Sequence, residues 1–175
     1  MNDSLDIPNS ASSNPVSESV SPGRPGLKGA SVLAVLGVLT YATSLNCPFI
    51  FDDRDFILQN ESIYRLWPPW PALFAAKNVS RPLIGLSTAI NYAISGASPW
   101  SYHLFNLLVH ICAALALFGI ARRTLLTEGL KKRFGNHSTA LALTIASIWL
   151  VHPLQTAAVT YLIQRCESLI GMFYL

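Results

Sequence analysis

Between Gly29 and Phe51 the chain carries no Asp, Glu, Lys or Arg. The stretch "ASVLAVLGVLTYATSLNCPFIF" is long enough, at about 1.5 Å per residue, to cross about 30 Å of hydrocarbon as a helix. A second charge-free interval runs from Pro82 to Ala121. It is too long for one simple helix, and "SGASPW" divides it into an interfacial piece, "RPLIGLSTAINYAI", and a span, "YHLFNLLVHICAALALFGIA". Composition agrees with a membrane class: 51% of the 175 residues are apolar and 12% are charged, against about 25% charged in an ordinary soluble domain. So small a protein exposes much of its surface and would have too little polar area to face water.

The sequence therefore predicts an all-α fold of polytopic membrane helices, three spans plus the start of a fourth. The spans fall at about 30–51, 102–121 and 138–152, and the last apolar run begins at 168. Its final eight residues, "SLIGMFYL", cannot cross a bilayer, so the polypeptide is expected to be the amino-terminal part of something longer. Residues 1–28 hold Ser, Pro and Asn with almost no large apolar residues, which predicts a disordered tail. A cleaved leader is disfavoured by that long polar lead and by the lack of an A-x-A site after the apolar run. The membrane domain is then 29–175, with one large loop at 52–101.

Charge orients this arrangement. Arg24 and Lys28 precede the first span, and Arg122, Arg123, Lys131, Lys132 and Arg133 lie between the second and third, so both regions are expected on the cytoplasmic side, amino terminus included. The loop at 52–101, with its more scattered Arg54, Arg65, Lys77 and Arg81 and the headgroup-suited tryptophans of "LWPPWPALF", is expected outside. A net charge of +3 is too small to argue for nucleic acid. Cys47, Cys112 and Cys166 show neither a CxxC spacing nor an even count, and so form neither a disulfide framework nor a zinc site. Cys47 is not in a lipobox, because Ser44 and Asn46 occupy the positions that such a motif reserves for Leu and a small residue.

The ionisable residues leave several readings open. Asp52 and Asp53 sit at the outer end of the first span, where carboxylates can bind a divalent cation, pair with Arg54 or Arg81, act as a base, or form a solvated cap. His103, Asn106 and His110 form a polar stripe on one side of the second span, facing either a cavity or partner helices. Beyond "HPLQT" stand Gln164, Arg165 and Glu167. Arg165 and Glu167 form an ion pair in one reading, and Arg165 holds a phosphate in the other.

Three motifs in order, "FIFDDRDFILQN", "SRPLIGLSTAINYAISGASPWSYHLFNLLVHICAAL" and "HPLQTAAVTYLIQRCESLIGMFYL", resemble the amino-terminal membrane portion of the transmembrane and tetratricopeptide repeat-containing family. The likeness covers about Leu33 to Leu175. It implies a partial bundle like that of the C-type glycosyltransferases, which move a sugar from a polyprenyl-phosphate donor to protein Ser or Thr on the non-cytoplasmic side. It further implies that Asp52 and Asp53 are the catalytic carboxylates, and that Arg81, His103, Asn106, His152, Arg165 and Glu167 line the donor-phosphate site or its vestibule. Partners would be membrane lipid, the polyprenyl-phosphate sugar and an acceptor protein, with a divalent metal left open. The chain departs from the pattern at Ala157, where the resemblance implies an acidic residue, and it lacks tetratricopeptide repeats. The 175 residues alone are accordingly expected to be inactive. The alternative is a non-catalytic membrane anchor or assembly module with the same architecture.

Overall fold

A computed structural model of the chain describes residues 25–78 and 80–174; most of the tail assigned to 1–28 lies outside them. Among the described residues there are helices and turns and no strand. Helix α1 (Pro25–Tyr41) begins inside the segment assigned to the tail. It continues as a 3-10 turn over Ala42–Asn46 and stops before Pro48, whose ring disfavours helical backbone at Cys47; Cys47 is extended, at φ −66° and ψ 140°. The first helical run thus ends earlier, at Asn46, than the expected 30–51.

The loop assigned to 52–101 is itself largely helical. It holds a π turn at Arg54–Leu58, a 3-10 turn at Glu61–Ile63, α2 (Trp70–Phe74) and α3 (Pro82–Ser95). Helix α4 (Trp100–Leu125) extends past the expected 102–121 at both ends, and Arg122 and Arg123 lie in its last turn, where cations complement the open carbonyls. After α5 (Glu128–Phe134) comes α6 (Ser138–Leu150), which ends just short of His152 and Pro153. A bend of 53° then separates Glu128–Leu150 from Pro153–Thr160, the latter including α7 (Thr156–Thr160). Helix α8 (Arg165–Tyr174) starts three residues before the expected 168.

Two helices, Gly26–Asn46 and Trp100–Leu125, are long and apolar enough to cross a membrane, and a third crossing exists if the bent pair counts as one span. By itself α6 has 13 residues, about 20 Å of helix. The segment expected as a third span is therefore not one straight helix but a pair bent by 53°.

Small residues let these helices approach. Leu33, Ala114, Phe118, Ala142, Ala146 and Leu150 form the buried core between α1, α4 and α6. A Cβ on Gly37 would lie 2.8 Å from Ile111 Cγ1, the close packing that small residues provide where lipid supplies no hydrophobic drive. A second core, Ile57, Ile63, Ala72, Ala89, Tyr102 and Leu162, packs the 52–101 segment onto α4. There α2 runs so near α3 that a Cβ on Gly85 would sit 2.0 Å from the Ala72 carbonyl oxygen.

That contact is with backbone, which cannot swing aside. Gly85→Ala should destabilise the chain by roughly 1–3 kcal/mol. Thermal unfolding of the chain in nanodiscs, compared with an alanine placed at Gly119, whose Cβ meets nothing within 4 Å, checks this.

Candidate functional site

The chain leaves α1 through "CPFIFDD", and the two aspartates part company. Asp53 is fully buried. Its Oδ2 accepts a hydrogen bond from the Ile50 amide at 3.2 Å and its Oδ1 one from the Ile163 amide at 3.1 Å. One backbone donor three residues before Asp53 and one 110 residues after it thus converge on one carboxylate, which ties the exit of α1 to the turn before α8. Burial pushes the Asp53 carboxyl above the usual carboxylate range, opposed by its backbone hydrogen bonds and by His103. Asp52 is exposed.

Asp52 opens into a cleft of about 760 Å³, lined also by Asp55, Gln59, Lys77, Ser80 and Arg81. Sharing Asp52, Arg81 and Ile163 with it is a second hollow of about 330 Å³, bounded by Tyr161, Gln164, Cys166 and Glu167. The two form one groove between the 52–59 segment, the 76–81 turn and the start of α8. Lys77 is committed within it: its Nζ donates to the carbonyls of Asp55 at 2.9 Å and Gln59 at 3.0 Å, which the π turn leaves open. Arg81 is exposed and lines both hollows together with Asp52.

Beneath the groove lies a buried polar layer. Arg165 is fully buried; its Nη1 donates to Ser87 Oγ at 3.0 Å and Asn91 Oδ1 at 2.9 Å, and Nη2 reaches the Tyr102 carbonyl at 3.4 Å. The guanidinium lies 4.8 Å from the centre of the Phe105 ring, a favourable cation–π distance. Its partners are these and not Glu167, so the ion pair considered from the sequence is replaced by a neutral cradle. His103 and Asn106 are also fully buried. His103 Nε2 donates to the Cys47 carbonyl at 3.1 Å and Asn106 Nδ2 to that of Leu162 at 3.5 Å.

The candidate residues therefore divide. Asp52, Arg81 and Glu167 line the groove. Asp53, His103, Asn106 and Arg165 are packed below it and hold its walls together. His152 joins neither group: it is exposed and its Nδ1 accepts from the Leu154 amide at 3.3 Å, capping the turn that follows α6. Ala157, where an acidic residue was implied, stands exposed in the first turn of α7.

Ser87, Asn91 and Tyr161 were not singled out from the sequence. Ser87 and Asn91 are four apart, and so share one face of an otherwise apolar helix. That spacing was the available signal. Among the described residues no three or more His, Cys, Asp or Glu side chains come together as a metal site.

Curated relatives fit this picture. Over 157 residues, 82% of the chain, it is 29% identical to human Protein O-mannosyl-transferase TMTC3 and 32% identical to mouse Protein O-mannosyl-transferase TMTC2. Over 161 residues, 86% of the chain, it is 34% identical to Protein O-mannosyl-transferase Tmtc1 of Drosophila melanogaster. The chain spans about a sixth of the length of these relatives, 16% of the first and 17% of the other two. No protein-family model and no solved structure matches it.

Asp53 links this geometry to pH. A carboxyl whose folded pKa is raised binds its proton more tightly folded than unfolded. Its contribution is fully present below the unfolded value and is lost as pH rises through the folded one. The stability of the wild type relative to Asp53→Asn should therefore fall as pH is raised from about 4 towards neutrality. The asparagine also turns an NH₂ towards a backbone N–H that the carboxylate satisfied, a loss of about 1–3 kcal/mol. Thermal melts of both proteins in nanodiscs across pH measure the two effects.

Proposed function

We propose, from the homology of this chain to the TMTC protein O-mannosyl-transferases over about four fifths of its length, that it forms the amino-terminal part of a membrane glycosyltransferase. The reaction would move a mannosyl group from a polyprenyl-phosphate carrier to a Ser or Thr hydroxyl of a protein, on the non-cytoplasmic side. The observation that carries this reading is the groove itself: its lining brings the exposed carboxylate of Asp52, with those of Asp55 and Glu167, together with the exposed guanidinium of Arg81, just beyond a helix long and apolar enough to cross a membrane.

The chemistry assigns each side a task. Asp52 takes the proton of the acceptor hydroxyl as its oxygen attacks the anomeric carbon. The bond from that carbon to the phosphate oxygen breaks, and the phosphate departs with the electron pair. Arg81, whose planar fork suits phosphate oxygens, steadies the charge that develops there. Asp53, His103, Asn106 and Arg165 act at one remove, by fixing the segments that carry Asp52 and the α8 wall. Their burial and internal partners also fit the second reading, an anchor or assembly module without chemistry.

Asp52→Asn separates the two readings. In a chimera carrying this chain in place of the matching segment of mouse Protein O-mannosyl-transferase TMTC2, that substitution should lower kcat by about 10²–10⁴-fold, with folding and abundance unchanged. Mannosyl transfer to an acceptor peptide, read by mass spectrometry, measures it; full transfer would leave only the anchor reading. The proposed sidedness rests on the basic residues around the spans. Single cysteines at Gln59 and Glu128 in a cysteine-free background should label from opposite sides of the membrane, and labelling from one side rejects it.

A further inference from the structure

The outer segment contains two N-x-S triplets, Asn60-Glu61-Ser62 and Asn78-Val79-Ser80. On the non-cytoplasmic side such triplets are acceptors for N-glycosylation and imply an exposed asparagine. Here both asparagines are 4% exposed, and they are bonded to one another. Asn60 Nδ2 donates to Asn78 Oδ1 at 3.1 Å. Asn78 Nδ2 donates to Ser62 Oγ at 2.9 Å, and Ser62 Oγ donates back to Asn60 Oδ1. Three side chains from two triplets close a ring.

The remaining amide hydrogens are spent as well. Asn60 Nδ2 also donates to the Phe56 carbonyl at 3.1 Å, and Asn78 Nδ2 to the Ala72 carbonyl at 2.9 Å. Glycosylation removes one N–H from that nitrogen and attaches a sugar carbon in its place, breaking the sugar's bond to a lipid pyrophosphate. Neither nitrogen has a hydrogen to spare, and neither site has room for a sugar. The ring also bears on the groove, because Gln59 and Lys77, which line it, are the direct chain neighbours of Asn60 and Asn78.

We propose that closure of the Asn60–Ser62–Asn78 ring and N-glycosylation at either asparagine are mutually exclusive. The folded protein then carries both triplets unmodified, and a glycan at either one marks a chain whose outer segment failed to close. The proposal rests on the non-cytoplasmic placement of this segment given above. A third triplet, Asn136-His137-Ser138, has an exposed asparagine but lies in the segment assigned to the cytoplasm, and serves as an internal control.

The test expresses the full chain in cells with an active oligosaccharyltransferase and a blocked proteasome. Each asparagine is then mapped by peptide N-glycosidase treatment in heavy-oxygen water and mass spectrometry. Wild type should be bare at Asn60 and Asn78. Ser62→Thr, which keeps both the hydroxyl and the triplet, should remain bare, as should Asn78 in Glu61→Gln. Asn78→Ala opens the ring while leaving the first triplet intact, so Asn60 should go from undetectable modification to the major form. A covalent glycan is recorded even if that variant later unfolds. Glycan on either asparagine in monodisperse wild-type protein overturns the proposal. So does an Asn60 that stays bare in Asn78→Ala while a cysteine at Gln59 labels from outside. Labelling of Gln59 from the cytosol instead overturns the sidedness, and the proposal with it.

Discussion

Inside a bilayer a backbone carbonyl that leaves the helical ladder finds no water, so every break in a span must be met by a donor from another element. This chain breaks its helices repeatedly and meets the breaks mainly from α4. The carbonyl of Leu150, left open where α6 ends, accepts from His110 Nε2 at 3.0 Å and from the Tyr41 hydroxyl at 3.1 Å. That of Cys47, at the end of the first helical run, accepts from His103, and that of Leu162, before α8, accepts from Asn106. The polar stripe on α4 is thus a row of donors, each set opposite an irregularity in a neighbour. The same rule runs in reverse at Tyr102, whose carbonyl near the start of α4 accepts from Arg165 of α8.

That constraint divides the work of the two adjacent aspartates. Ile50 and Ile163 lie in irregular backbone whose amides need acceptors, and Asp53 supplies both of them. Consecutive residues in such a turn point to different sides, so fixing Asp53 inward leaves Asp52 outward in the groove. Asp53, fully buried, is out of reach of a group entering the groove. Asp52, the next residue, is exposed in the groove. In this way one residue of the dipeptide positions the other.

The spans were legible because charge-free runs of this length have few soluble explanations, and α1 and α4 lie where those runs put them. Their ends were less so. Hydropathy does not see that Pro48 and the bend after Leu150 interrupt the backbone before the apolar character fades. The groove was only half legible: Asp52, Arg81 and Glu167, all named from the sequence, line it together, but nothing in "DDR" says which carboxylate is buried. Arg165 was legible as unusual and not as structural, since its neutral cradle comes from Ser87 and Asn91, 78 and 74 residues away. His152 misled because a histidine before Pro looks the same in sequence whether it caps a turn or lines a site.

Helix α3 shows why that cradle exists. Its outward side presents Leu83, Ile90 and Ile94, at 60%, 40% and 60% exposure, while Ser87, Thr88 and Asn91 are buried. A helix on a water-facing surface does the reverse. Between two elements able to cross a membrane, aliphatic side chains turned outward suit an apolar environment, in which a polar face has to be satisfied from within. Thr88 does so locally, bonding the Ile84 carbonyl at 3.0 Å, which leaves Ser87 and Asn91 as acceptors pointing inward. Arg165 fills that need from α8 and gains a place where its charge meets oxygen atoms on several sides. Inversion of α3 and burial of Arg165 are one arrangement, and together they set the floor on which the groove is built.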